Sequence, residues 1–325
     1  MKPSRAVIAN INVKRRSVEY ISLWAKKRHR HLYGLANTKI LVLTLVTVAL
    51  STPARATTIV VLRTPDQIVV AGDSLSGLTR VRDSLTGIAG ETKNSACKII
   101  RVGNVFFASS GIGSDSETGF DVREIARASG EESNGLLTLQ NFERVYLPSL
   151  AKELNFLRLA NPAVYQKQSV ENGPSAIVFF GFESGSTFFH ARGYGASSSI
   201  FGEAVSVRTV SAFDCPGDNC PVKRDSRIAN VNFGSSAAIL RYLAPLVVPE
   251  ADLLTVANKL VELEITDNPS EVGGPIDILR VTKNGGCWIK HEKECGKDIP
   301  FCATLPTPKP KPSKPTRRRT HRRPS

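Results

Sequence analysis

The chain has 325 residues, 41% of them hydrophobic, enough apolar material for one large packed core or two small ones, which excludes a disordered protein. Its formal net charge of +14 sits at the ends: residues 1–39 carry ten Lys or Arg against one Glu, and residues 303–325 carry eight against none. Residues 57–302 are therefore mildly acidic, which excludes a basic nucleic-acid-binding body.

The first feature along the chain is residues 40–50, ILVLTLVTVAL, an apolar run too short to span a bilayer comfortably and of the length of a signal-peptide core. Basic residues precede it, and Ser51-Thr52-Pro53-Ala54-Arg55-Ala56 follows, ending in the A-x-A pattern of a signal peptidase site. Lys14-Arg15-Arg16-Ser17 lies too far upstream to form a twin-arginine signal. The reading is a signal peptide with a long basic n-region over 1–56, cleavage between Ala56 and Thr57, and a secreted or periplasmic product.

From Thr57 the pattern is that of strands. TTIVVLRTP and QIVVAGD, with Pro65-Asp66 between them, predict a β-hairpin, and CKIIRVG with NVFFASSG predicts another. Helices are expected over 116–128 and 138–159, the second with Phe142, Val145, Tyr146, Leu150, Leu154 and Leu157 on one face and with Pro148 as an interruption or kink. SAIVFFGFESGSTFFHARGYG reads as a hairpin around Glu183-Ser184-Gly185-Ser186, followed by the strand IFGEAVSVRTV. Two helices, 235–246 and 251–264, and the closing strand pair in IDILRVTKNGGCWIK complete the body. Strands, helices, strands, helices and strands in that order suit a layered α+β sandwich.

Residues 303–325 are Pro-rich and then Arg-rich and should be a disordered tail; no aromatics interleave the arginines, so specific nucleic-acid recognition has no support. The tail reads as a solvated segment, with contact to an anionic surface as the other reading. Six cysteines, Cys97, Cys215, Cys220, Cys287, Cys295 and Cys302, suit disulfides in an oxidising compartment. They allow fifteen pairings. Cys215-Pro-Gly-Asp-Asn-Cys220 reads as a stapled turn, and the absence of CxxC pairs, with only His190 and His291 in the body, argues against zinc.

The common nucleophile arrangements are missing: there is no GxSxG, HExxH or GxxxxGK[ST], and neither body histidine has a recognisable setting. A threonine at a chain terminus supplies its own base, because its free α-amine titrates near 7.7–8.0. A nearby lysine would tune both amine and hydroxyl, and an aspartate would hold the lysine.

At this point a resemblance enters. TTIVVLRTPDQIVVAGD resembles the start of mature proteasome β subunits and of the peptidase subunit of the bacterial two-component ATP-dependent protease, with Thr57-Thr58-Ile59 and Gly72-Asp73 at the family's interval. Lys93-Asn94-Ser95-Ala96-Cys97-Lys98-Ile99 resembles the segment bearing the catalytic lysine, which nominates Lys98 rather than Lys93. Ser110-Gly111-Ile112-Gly113-Ser114 resembles the Gly-rich oxyanion turn, with Gly113 as the donor. Phe233-Gly234-Ser235-Ser236-Ala237 resembles the strand-to-helix turn that sets a serine near the terminal amine, which gives Ser235 a supporting role. Ile265 to Asp277 resembles the family's Asp-x-x-Ser-Gly-Gly, with Asp267 and Ser270 at the right spacing but Gly273-Gly274 two residues too far along. Lys98 stands about nine residues further from Asp73 than in the family, which places an inserted loop around Leu75–Glu91.

The resemblance implies an N-terminal nucleophile hydrolase with a four-layer αββα sandwich over 57–302. It implies Thr57 as nucleophile, with Asp73, Lys98, Gly113, Ser235 and Asp267 in support and no cofactor or metal. The substrate would be a peptide or a small amide, the chain could assemble as a homo-oligomer, and a non-catalytic binding or assembly protein of the same family is the alternative. Because proteasome subunits free their threonine by self-cleavage after glycine whereas Ala56 stands here, signal peptidase would replace autolysis.

Overall fold

The computed structural model describes residues 57–75, 79–82, 89–92, 97–115, 117–130, 134–166, 169, 173–197, 204–222, 228–243, 252–269, 272–291 and 296–303. The expected signal peptide, the tail beyond residue 303, Lys93, Ser270 and Cys295 lie outside them.

The first hairpin forms as its sequence requires. β1 (Thr58–Arg63) and β2 (Gln67–Asp73) are rich in β-branched residues and buried on both faces, and they pair antiparallel with Ile59 opposite Gly72. Thr64 closes the turn, its N–H donating to the Gln67 carbonyl at 2.8 Å. β3 (Thr79–Arg82) and β4 (Ala89–Thr92) form a separate two-stranded sheet within the expected insertion. β5 (Ile99–Val102) and β6 (Val105–Gly111) follow, then the short pair β7 (Ser114–Asp115) and β8 (Phe120–Asp121).

Three helices come next: α1 (Val122–Ser129), capped by the Asp121 carboxylate, α2 (Gly135–Ala160), capped by the Asn134 side chain, and the single turn α3 (Pro162–Tyr165). β9 (Ser175–Glu183) and β10 (Ser186–Ser197) form the long hairpin around Ser184-Gly185, and β11 (Ser206–Cys215) extends it. β12 (Ala229–Gly234), α4 (Ala237–Leu243), α5 (Leu253–Asp267), β13 (Ile276–Thr282) and β14 (Gly285–Lys290) complete the described elements.

Two five-stranded sheets result, one ordered β12-β1-β2-β13-β14 and the other β11-β10-β9-β6-β5, with every named pairing antiparallel. Their facing sides share one apolar cluster, in which Ile59, Val70, Leu279 and Trp288 of the first sheet meet Ile99, Phe106, Phe180 and Phe189 of the second. The other side of the second sheet packs on α1, α2 and Tyr165, and the other side of the first packs on α4 and α5.

The expected four-layer αββα sandwich is corrected here. Among the described residues strand accounts for 42% against 32% helix, and beside α2 and the fifteen-residue α5 the other helices are small. α1 has eight residues, α4 seven and α3 four. Eight residues of helix extend about 12 Å, whereas five strands are roughly 19 Å across. The molecule is an antiparallel β structure with helices packed on it rather than four regular layers.

Two smaller expectations are also refined: α2 is not interrupted at Pro148, and its apolar face loses one member. Pro148 lies inside α2 and the helix continues through it. Its cost of about 3 kcal/mol is offset because Phe142, Tyr146, Leu150 and Leu154 are all fully buried, each worth about 1.5–3 kcal/mol. Val145, expected on that face, is 47% exposed.

Disulfides join Cys215 to Cys220, as the stapled turn anticipates, and Cys287 to Cys302; Cys97 is disulfide-bonded as well. They fit an oxidising extracellular environment. Among the described residues no helix is long and apolar enough to cross a membrane.

Phe142 stacks on Tyr146 at 4.5 Å and also meets Phe107 and Phe179. Phe142→Ala should cost about 3–5 kcal/mol, whereas Leu159→Ala, at a side chain 79% exposed, should stay within about 0.5 kcal/mol. Denaturant unfolding under non-reducing conditions measures both.

Candidate active site

The antiparallel register of β1 and β2 brings the start of one strand to the end of the other, so that Thr57 and Thr58 lie beside Asp73. Asp73 is fully buried, and a carboxylate in that position demands partners. Its Oδ1 accepts the Thr58 N–H at 2.8 Å and the Lys98 ammonium at 3.0 Å, and its Oδ2 accepts the Gly273 N–H at 3.2 Å. Gly72 leaves room for the Ile59 side chain here, since a Cβ at that position would lie 2.9 Å from Ile59 Cδ1.

Lys98 comes from the other sheet, immediately before β5, and is itself buried. Burial lowers its pKa from the ordinary 10.5, against the opposing pull of the Asp73 charge and hydrogen bond and of the Asp277 charge. The ammonium is thus held at the boundary between the sheets by Asp73.

The end of β12 approaches from the side. Gly234 has φ +76°, and a Cβ on it would overlap the Thr57 carbonyl, so glycine is required twice over. The next residue, Ser235, clamps the start of β1 through its backbone: its N–H donates to the Thr57 carbonyl at 3.1 Å, and its carbonyl accepts the Thr58 hydroxyl at 2.9 Å. The Ser235 hydroxyl itself turns to Glu264 of α5, donating to Oε2 at 2.9 Å, while Oε1 takes the Ile239 N–H of α4.

Of the six residues nominated from sequence, Thr57, Asp73, Lys98 and Ser235 come together. Gly113 stands two residues beyond β6; its carbonyl accepts the Val122 N–H at 2.9 Å, and a Cβ built on it would have no neighbour within 4 Å. Asp267 ends α5 and pairs with Arg241 at 2.7 Å on an exposed surface. Four residues near the site were not nominated: Gly273, Glu264, Asp277 and Ser110, whose Cβ is 3.6 Å from the position a Gly234 Cβ would take. Gly273 and Asp277 sit inside the segment already compared with the family, so a signal existed for them; Glu264 is one helical glutamate among several and offers none.

Thr57 is 8% exposed, and two clefts of about 290 and 220 Å³ are lined by neither Thr57, Asp73 nor Lys98. No protein-family model matches the chain, and no curated protein matches it.

Removing one partner of a buried ion pair leaves the other uncompensated, so Asp73→Asn should destabilise the fold by about 3–5 kcal/mol in denaturant unfolding. Because burial holds the Lys98 pKa below 10.5, the stability this residue contributes is complete above 10.5 and is lost as pH falls through the folded value. Wild type should therefore gain stability relative to Lys98→Met as pH is raised toward 10.5, seen as a changing difference between their unfolding midpoints.

Proposed function

We propose that the chain is an exported amide hydrolase that uses Thr57 as an N-terminal nucleophile once the bond after Ala56 is cut. The observation that carries this reading is the Asp73 carboxylate, which receives the Lys98 ammonium and the Thr58 N–H together, one residue from the terminus the reaction needs. The resemblance of residues 57–73 to proteasome β subunits supports it. So does the agreement between the A-x-A site and the threonine it would expose.

The chemistry follows from those groups. Thr57 Oγ1 attacks the substrate carbonyl carbon, and its proton passes to the Thr57 α-amine directly or through one water. The Lys98 charge stabilises the developing alkoxide, and Asp73 fixes the lysine. A backbone N–H of the Ser110 to Gly113 turn, for which Gly113 is the nominee, would hold the oxyanion. The ammonium formed at Thr57 then returns the proton to the departing amine, leaving an ester on Thr57 that water hydrolyses to the free acid. No cofactor or metal enters this scheme. Outside the cytoplasm there is no ATP for an unfoldase, so the substrates are short peptides, unfolded chains or small amides.

The rival reading, a non-catalytic binding or assembly protein, draws on the insertion around Leu75–Glu91, on the displaced Gly273-Gly274 and on the pairing of Asp267 with Arg241. The two separate in one experiment. The exported protein, treated with a threonine-directed β-lactone or epoxyketone, should gain the probe's mass on the peptide beginning at Thr57. Thr57→Ala should take no label and should lose about 10³-fold or more of the hydrolysis seen across a panel of peptide and small-amide substrates. An unlabelled wild-type protein, beside a control proteasome that labels, would overturn the hydrolase reading.

A further inference from the structure

Asp277 is a carboxylate in a place where the fold calls for an apolar residue. On β13 it stands opposite Gly72, next to the pair in which Ile276 faces Asp73. The strand alternates: Ile276 and Ile278 pack toward α5, whereas Leu279 and Val281 belong to the cluster between the sheets. Asp277 falls on the same side as Leu279 and Val281 and is 2% exposed. Gly72 presents no side chain between Asp277 and Ile59, and the Ile59 side chain reaches over it, its Cδ1 2.9 Å from where a Gly72 Cβ would stand. Lys98 enters from across the gap, immediately before Ile99 of the same cluster.

We infer that Asp277 is a positioning residue for Lys98, a second carboxylate whose charge acts on the ammonium from β13 while Asp73 binds it from β2, and that it keeps the lysine charged between the sheets. The inference rests on the Thr57 reading for its purpose, since a charged Lys98 is what the developing alkoxide requires. The physical case has two parts. Taking a carboxylate out of water costs several kcal/mol, and a leucine or valine would serve the packing at this position as Leu279 and Val281 serve it two and four residues on. The charge on Asp277 also acts on the Lys98 ammonium through space, in the direction that opposes its discharge by burial.

Among the described residues the other groups around Lys98 do not take over this task. Asp73 is shared with the Thr58 and Gly273 N–H groups. Glu264 is committed to Ser235 and the α4 N-terminus. β1 brings only the hydroxyls of Thr57 and Thr58 and, after cleavage, the amine, and β6 brings the Ser110 hydroxyl. With Asp277 neutral, both cationic groups of the site, Lys98 and the Thr57 amine, lose a nearby negative charge, so each should release its proton at lower pH.

The test is a titration of the mature, disulfide-bonded protein with ¹³C-labelled lysine and aspartate, the Lys98 Cε signal being assigned by its loss in Lys98→Met. Asp277→Asn should lower the Lys98 titration by about one pH unit, and Asp277→Glu should leave it near the wild-type value. In the wild-type chain the Asp277 carboxyl carbon should shift at the pH where Lys98 titrates, a readout that holds if the asparagine variant does not fold. The alkaline limb of the activity profile should move down with the Lys98 titration in Asp277→Asn. An unchanged Lys98 titration in folded Asp277→Asn, or an Asp277 carbon indifferent to Lys98 in wild type, would overturn the proposal. Because the titration needs no turnover, a failure of Thr57 to label leaves this result intact and counts against the hydrolase reading alone.

Discussion

The Asp73 carboxylate, fully buried where β2 ends, is the constraint on which the rest of this region depends. A charge so placed is tolerated only if its oxygens are occupied and an opposite charge is near. It obtains the charge from Lys98 of the opposite sheet, one N–H from β1 and another from Gly273 ahead of β13. Three pieces of chain distant in sequence are thereby held to one point. The separation of the sheets at that end, the position of Thr57, and the path of the chain before β13 all follow from satisfying a single side chain.

A second carboxylate performs a parallel task on the helix side. Glu264, also fully buried, joins the Ser235 hydroxyl to the N–H of Ile239, so α5, α4 and the end of β12 move as one. Ser235 then passes that rigidity to the first residues of β1 through two backbone hydrogen bonds. The start of β1 is therefore fixed from both flanks, by Asp73 on one side and by the β12 turn on the other. Such fixation is what a nucleophile at a chain terminus needs, since a terminus otherwise frays.

What could be read in the sequence was what depends on short range. The hairpin of residues 57–73 needs only β-branched runs and the Pro65-Asp66 turn, and the interval from Thr57 to Asp73 is then set by strand register. Cys215 and Cys220 are close enough in sequence to be joined by their turn. Lys98 was identified by its neighbours in sequence, and the structure places its Nζ 3.0 Å from Asp73. The misreadings arose where tertiary packing decides. Pro148 reads as an interruption or a kink, yet buried aromatics before it and buried leucines after it carry α2 through as one helix. The strand and helix order suggested complete helical layers, whereas the stretch 116–128 yields only the eight residues of α1. Asp267 and Gly113 were nominated from the resemblance, which does not say that Arg241 would pair with the first or that the carbonyl of the second would accept the Val122 N–H.

The central claim is that this arrangement exists to present Thr57 as a chain terminus. The most direct measurement is N-terminal sequencing, with intact mass, of the protein recovered from outside the cytoplasm of cells expressing the full chain. The expected first residues are Thr57-Thr58-Ile59-Val60. A product beginning at any other residue, or one that retains residues before Thr57, would contradict the claim, because the Thr57 nitrogen would then be an amide with no proton affinity to offer.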